Sequence, residues 1–263
     1  MAKNNKNKIL LASVLCLQLS ASHAMTGNWS VGAGTIIAPN PYLDTKTNIL
    51  PIPLVSYQNK YASWYGPMIK LRHYLSPKDI IGPLAYLDTR VFDPEDTSNA
   101  QLKQLNKRDR LYMLGGYYRH KTDIGDLFFS VSGDISGNSD GFYSELAYSY
   151  PLTYQNRKYF FRPSIGVQWS SKKIVNHFYG ISPTESLNSG LSNYNPGGAV
   201  SPFAGLFAGI NLFGDIYWLT MLRASYMPNP IHQSPMVRKD RLNYTALIGL
   251  TWELGKKETR FNK

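Results

Sequence analysis

The stretch RKYFFRPSIGVQWSS, residues 157–171, decides the fold. Every second residue from Tyr159 is apolar or aromatic: Tyr159, Phe161, Pro163, Ile165, Val167 and Trp169. The interleaved set, Phe160, Arg162, Ser164, Gly166, Gln168 and Ser170, is mostly small or polar. A period of two residues means a β-strand with two unlike faces. The same alternation runs through FYSELAYSYPL (142–152), RLNYTALIGLTWEL (241–254) and GDLFFSVSGDIS (125–136). In WYGPMIKLRHYL (64–75) it sets Tyr65, Ile69 and Leu71 against Lys70 and Arg72. In IGPLAYLDTRVF (81–92) it puts Asp88 and Arg90 on the less apolar side.

Turn signals separate these runs at 58–60, 75–79, 122–126, 136–141, 154–158 and 212–215. Longer connections fall near 93–108, 182–198 and 228–240. No sustained 3.6-residue stripe, fixed-length repeat or linker interrupts the pattern, which predicts one all-β domain. Strands are expected near 28–37, 49–59, 62–74, 80–92, 109–121, 124–135, 141–153, 157–170, 172–181, 199–211, 215–227 and 241–254. The weakest is KKIVNHFYGI, 172–181. Twelve is the expected count. Ten is the alternative, because single-chain bacterial barrels have even numbers of strands.

A soluble sandwich also alternates, but its polar face meets water and carries charge. Here the polar faces are dominated by Gly, Ser, Thr, Asn and Gln, and only 17% of the chain is charged, against about 25% in ordinary soluble domains. Aromatic residues such as Trp29, Tyr57, Trp64, Tyr148, Tyr150, Trp169, Trp218, Tyr226 and Trp252 gather near strand ends. Amphipathic rings prefer the interfaces of a bilayer, where outer-membrane barrels carry aromatic girdles. The expected fold is therefore a transmembrane antiparallel β-barrel, with lipid outside and a polar lumen inside. Closure leaves no strand edge unpaired in lipid.

The first residues fit export. MAKNNKNK is basic, ILLASVLCLQLS is an apolar core too short to span a bilayer, and ASHA offers small residues for cleavage after Ala24. Residues 1–24 read as a signal peptide and 25–263 as the barrel. Losing Lys3, Lys6 and Lys8 lowers the formal charge of +11 by three, to +8. The sole cysteine, Cys16, lies in the signal, so no disulfide is expected in the remainder.

Two stretches carry a family resemblance. HFYGISPTESLNSGLSNYNPGG (177–198), with HQSPMV (232–237) two strands later, resembles the signature region of the MipA/OmpV family of outer-membrane proteins. VGAGTIIAPNPYLDTKTNILPIPLVSY (31–57) resembles its N-terminal hairpin. The match is strongest at Tyr179, Gly180, Ser189, Gly190, Leu191, Tyr194, Ser234 and Pro235, which become the candidate partner or loop site. The resemblance implies a non-catalytic scaffold in the cell outer membrane, contacting a lytic murein transglycosylase and a murein synthase. Other members are described as porin-like or adhesive, so a small channel or a surface adhesin is the alternative. Neither 93–108 nor the tail after Leu254 carries a matching motif.

Enzyme signatures are missing from the sequence. His73, His120, His177 and His232 have no metal-ligand spacing, GAG (32–34) opens no helix, and no G-x-S-x-G elbow occurs. The glycines of GAG suit strand curvature or close packing. No cofactor and no nucleic-acid partner are expected. Membrane lipid and lipopolysaccharide phosphates are the expected surroundings of a basic barrel. Lys70, Arg72, Asp88, Arg90, Glu145, Arg162 and Arg223 are the candidate lumen charges, with Tyr112, Phe128, Phe160 and Leu247 narrowing the bore. The reading favours a plugged lumen over an open one.

Overall fold

The computed structural model describes residues 27–154 and 158–254. The expected signal peptide, with Cys16, and the basic tail 255–263 lie outside the described residues. Twelve antiparallel strands form the wall: β1 Asn28–Ala38, β2 Asn48–Gln58, β3 Ala62–Tyr65, β4 Met68–Leu71 continued by His73–Tyr74, β5 Asp79–Asp88 and β6 Leu111–Thr122. The second half is β7 Gly125–Asp134, β8 Phe142–Ser149 continued by Leu152–Tyr154, β9 Tyr159–Ser170, β10 Ala199–Phe213, β11 Ile216–Tyr226 and β12 Leu242–Leu254. Each pairs with its sequence neighbours. The first and last strands meet in a continuous register from Trp29↔Leu254 to Ile37↔Ala246, which closes the barrel.

The opening stretch behaves as its pattern demands. In β9, Phe161, Pro163, Ile165, Val167 and Trp169 are exposed, while Arg162, Ser164, Gly166 and Gln168 between them are partly buried. Ile165 is 65% exposed. A water-soluble protein would bury that face. Exposed apolar rows recur on β7 (Leu127, Phe129, Val131) and β12 (Leu242, Tyr244, Leu250, Trp252), so the apolar surface encircles the wall. Among the described residues no helix is long and apolar enough to cross a membrane; the crossing elements are strands. At one rim Trp29 packs on Tyr57 and Trp64, with ring centroids 4.8 and 6.0 Å away, as an interfacial girdle requires.

Two details of the strand map differ from expectation and leave the count at twelve. Residues 172–181 are not a strand: Lys172–Tyr179 is helix α1, with Ile174, Val175, Phe178 and Tyr179 buried on one face. The run 62–74 is not one strand but a hairpin, β3–β4, turned at Gly66 (φ +52) and Pro67. That turn resets the alternation. Ser63 pairs with Lys70 and shares its inward face, so Tyr65 looks inward, while Ile69 and Leu71 look outward. Tyr112, expected inside, is exposed on the outer face of β6. The proline-interrupted strand β8 breaks at Tyr150–Pro151, where Tyr150 N–H donates to the Pro163 carbonyl (3.0 Å).

The two mouths are unlike. One carries short turns at 59–61, 75–78, 123–124 and 214–215; the other carries the long connections 39–47, 89–110, 135–141, 171–198 and 227–241. Outer-membrane barrels place short turns in the periplasm and long loops outside. By that rule the long-loop mouth is extracellular. It is also where the main apolar core sits.

Candidate functional site

The long loops fold over their mouth as one cap. Its core is Tyr42, Phe92, Leu102, Leu105, Phe178, Tyr179, Ile181, Met227, Ile231, Met236 and Val237, with Leu111, Met113, Tyr143 and Ala199 from the strand tops. Phe92, Leu102, Phe178 and Met236 have no exposure at all. The long connection 182–198 holds helix α2, Pro183–Ser189; α3, Asn229–His232, follows β11.

The sequence-predicted motif residues meet here. Ser234 Oγ donates to the Tyr179 carbonyl (2.7 Å), joining 177–198 to 232–237. Tyr194 OH donates to the Pro230 carbonyl (3.1 Å), and the Tyr194 and Ile181 backbones bond in both directions (2.8 and 3.0 Å). Gly180 caps α1, and Gly190, at φ +71, ends α2 in the left-handed region that favours glycine. Ser189 Oγ donates to the Glu185 carbonyl (2.6 Å) and accepts from Leu191 N–H (3.2 Å). Leu191 packs on the core, and Pro235 stands between buried Ser234 and buried Met236. These positions build the cap's interior, so their contribution to any partner runs through its shape.

Glu185 is the cap's electrostatic centre. S-P-T-E at 182–185 is a capping box: Glu185 N–H donates to Ser182 Oγ (3.3 Å), and Ser182 N–H donates to Glu185 Oε2 (2.9 Å). Asn106 N–H (3.0 Å) and Arg108 Nη2 (2.7 Å) donate to Oε1. Burial pushes this carboxyl's pKa up, but the Ser182 and Asn106 amides and the Arg108 guanidinium outweigh it and hold the pKa below the usual value. Burial raises the phenol pKa of Tyr42 and of Tyr179. Burial disfavours the charge on Arg90, yet paired Asp88 more than offsets it and the guanidinium pKa is raised. A lowered carboxyl pKa gives stability present above the unfolded value of about 4.3 and lost as pH falls through the folded value; raised phenol pKa values give stability present below about 10 and lost above it. The cap is therefore expected to open at both extremes while the barrel persists. Proteolysis of loop 171–198 across pH checks this; uniform protection from pH 3 to 11 contradicts it.

Beneath the cap the lumen is crossed by polar contacts. Arg223 on β11 reaches Glu145 on β8 (2.9 Å). Asp126 on β7 holds Arg119 on β6 (2.6 Å) and lies 3.8 Å from Arg162 on β9. Lys70 on β4 sits over the rings of Phe128 (4.7 Å) and Tyr117 (5.7 Å). Arg72 donates to the Asn59 carbonyl (2.7 Å) near the short-turn mouth. Asp88 tops β5 and pairs with Arg90, which lies above the wall between the Phe178 (4.6 Å) and Tyr143 (5.1 Å) rings. Phe128, Phe160 and Leu247 do face the bore.

Sequence reading missed Arg119 and Asp126, and in the cap Tyr42, Phe92 and Arg108. Arg119 and Asp126 flank a tight β6–β7 turn on inward-facing positions, a cue that was available. Arg108 and Glu185 lie 77 residues apart, and nothing local joins them. Among the described residues no three His, Cys, Asp or Glu side chains gather as a metal site.

Comparison with known proteins gives four findings. A family model described as "MltA-interacting protein MipA" matches residues 31–254. The MltA-interacting protein of Escherichia coli (strain K12) is 32% identical over 252 residues, covering 94% of this chain and 99% of the relative. The "Putative outer membrane protein YiaT" of Escherichia coli O157:H7 is 29% identical over 244 residues, covering 92% and 97%. Among solved structures, the COG4313 outer membrane channel from Pseudomonas putida F1 overlays with a TM-score of 0.43 at 10% identity, covering 87% of this chain and 94% of that one.

Proposed function

Because the chain belongs to the MltA-interacting protein MipA family, we propose that this outer-membrane barrel is a non-catalytic scaffold that holds a murein transglycosylase, and with it a murein synthase, against the inner face of the outer membrane. The observation that carries this reading is the end-to-end match to a relative named for binding such an enzyme. A second feature supports it. The short-turn mouth, which faces the cell wall, presents Tyr61, Leu75, Ile124 and Phe213, each more than half exposed. Ile124 is 68% exposed in the two-residue turn between β6 and β7. An apolar side chain there gains nothing from water and is suited to a partner.

The test is crosslinking in cells followed by detergent extraction and mass spectrometry. The wild-type barrel is expected to retain a lytic transglycosylase. Ile124→Asp is expected to lose it about tenfold or more, through loss of a buried apolar contact of the hot-spot kind. No capture by either protein counts against the scaffold; equal capture by both removes Ile124 from the contact.

A further inference from the structure

The barrel wall has a window. Hairpin β3–β4 is short: β2 pairs with β3 only at Ser56–Gln58, and β4 meets β5 only up to Tyr86. Above its tip, β2 and β5 are not paired with each other. The sill is the hairpin turn, where Gly66 N–H donates to the Val55 carbonyl and Leu87 N–H to the Pro67 carbonyl (both 3.1 Å). The lintel is the bridge between Thr45 and Thr97, with Ser98 N–H donating to the Asp44 carbonyl (3.0 Å). The jamb is β2 from Ile49 to Pro53. In an antiparallel strand, alternate residues turn both backbone groups to the same side. Val55 turns its carbonyl to the window side, so Pro53 and Pro51 turn that way too. Prolines offer no N–H, so this edge cannot be extended by another strand. The opening is kept free of strand pairing.

Behind the window runs an apolar track. Leu50, Ile36, Leu247, Met221, Phe207 and Arg162 are directly opposite one another across β2, β1, β12, β11, β10 and β9. Directly paired residues share a face, and Arg162 faces the lumen towards Asp126. The track therefore lines the lumen for five strand spacings, roughly 24 Å. Its side chains meet open space: Leu50 is 51%, Met221 44% and Phe207 41% exposed. The far end is cationic and short of counter-charge. Arg162 and Arg119 share the single carboxylate of Asp126, and Lys70 rests on two rings with no carboxylate at ion-pair distance among the described residues. The cap core packs across the extracellular mouth, so the window is the route to this track from the outer leaflet.

We propose that the lumen binds an amphipathic anion, a carboxylate or phosphate on one long apolar chain, which enters from the outer leaflet between the tip of β3–β4 and the Thr45–Thr97 bridge. The chain lies along Leu50, Ile36, Leu247, Met221 and Phe207, and the head is held by Arg162, Arg119 and Lys70. The experiment uses the whole barrel in dodecyl maltoside with radiolabelled oleate, oleyl alcohol and lysophosphatidate. Oleate, lysophosphatidate or both are expected to bind saturably at one site, about tenfold or more tighter than oleyl alcohol, the increment of a charge-assisted contact. Lys70→Gln and Arg162→Gln are each expected to weaken the anion about tenfold, with Lys70→Arg restoring it. Preference for oleate identifies a free fatty carboxylate as the source; preference for lysophosphatidate identifies a phospholipid product. Equal retention of oleate and its alcohol overturns the proposal. So does unchanged anion affinity in Lys70→Gln and Arg162→Gln proteins that keep the barrel's heat-modifiable gel mobility.

Discussion

Replacing Glu185 with alanine is expected to unfasten the cap at a cost of about 3–5 kcal/mol, the usual penalty for removing one partner of a buried ion pair. Four donors converge on this carboxylate: the amides of Ser182 and Asn106, the Ser182 hydroxyl and the Arg108 guanidinium. Without it, the first turn of α2 loses its capping box, and Arg108 keeps a buried charge answered, among the described residues, by the Gly180 carbonyl. The strands take no part in these bonds. Hydrogen exchange should therefore rise in 102–108 and 181–191 and stay low in β6 to β10. Exchange that rises equally in wall and cap means the two fold as one unit and the carboxylate has no local role. Glu185→Gln is expected to lose less, because the amide still accepts two of the four bonds.

Replacing Ile165 with arginine is expected to cost about 2–4 kcal/mol, the penalty for a cation on the lipid face near mid-membrane. Ile165 stands midway along β9 between Tyr148 and Ala204, on the outward face. Gln168→Arg, three residues on and facing the lumen opposite Glu145, is expected to stay within about 0.5 kcal/mol. Urea titration of the barrel in lipid vesicles measures both. The contrast is informative because, were this face in contact with water, the order would reverse: an Ile exposed to water accepts arginine freely. Equal tolerance at both positions contradicts a wall facing hydrocarbon.

The wall was legible in the sequence because its code is local. Alternation in 157–171 and 241–254 names the outward residues one by one, and the structure agrees in β9 and β12. It failed where a turn was hidden inside the pattern. Gly66–Pro67 reads as a flaw in a strand, yet it makes the hairpin and turns Tyr65 into the lumen. The helix α1 escaped notice because Ile174, Val175, Phe178 and Tyr179 fill only two turns, too few for a period to stand out. Of the lumen, the alternation names single charges such as Glu145 and Arg223 but not their partners. The Arg223–Glu145 bond crosses the bore between strands 78 residues apart, and such pairings follow from closure, which no local window of sequence encodes. The motif residues were recognised as a set, and the structure shows them gathered within the cap.

One cap contact has a consequence for how the molecule is made. The connection after β1 and the connection before β12 are stitched together: Leu43 N–H donates to the Met236 carbonyl and Arg238 N–H to the Pro41 carbonyl, both 2.9 Å, around the Tyr42–Val237 bridge. These strands form the seam where the cylinder shuts. Residues nearly two hundred positions apart close one of the longest loops in the molecule, so the stitch is expected to form late. It then acts as a clasp over the seam and holds the two terminal strands together.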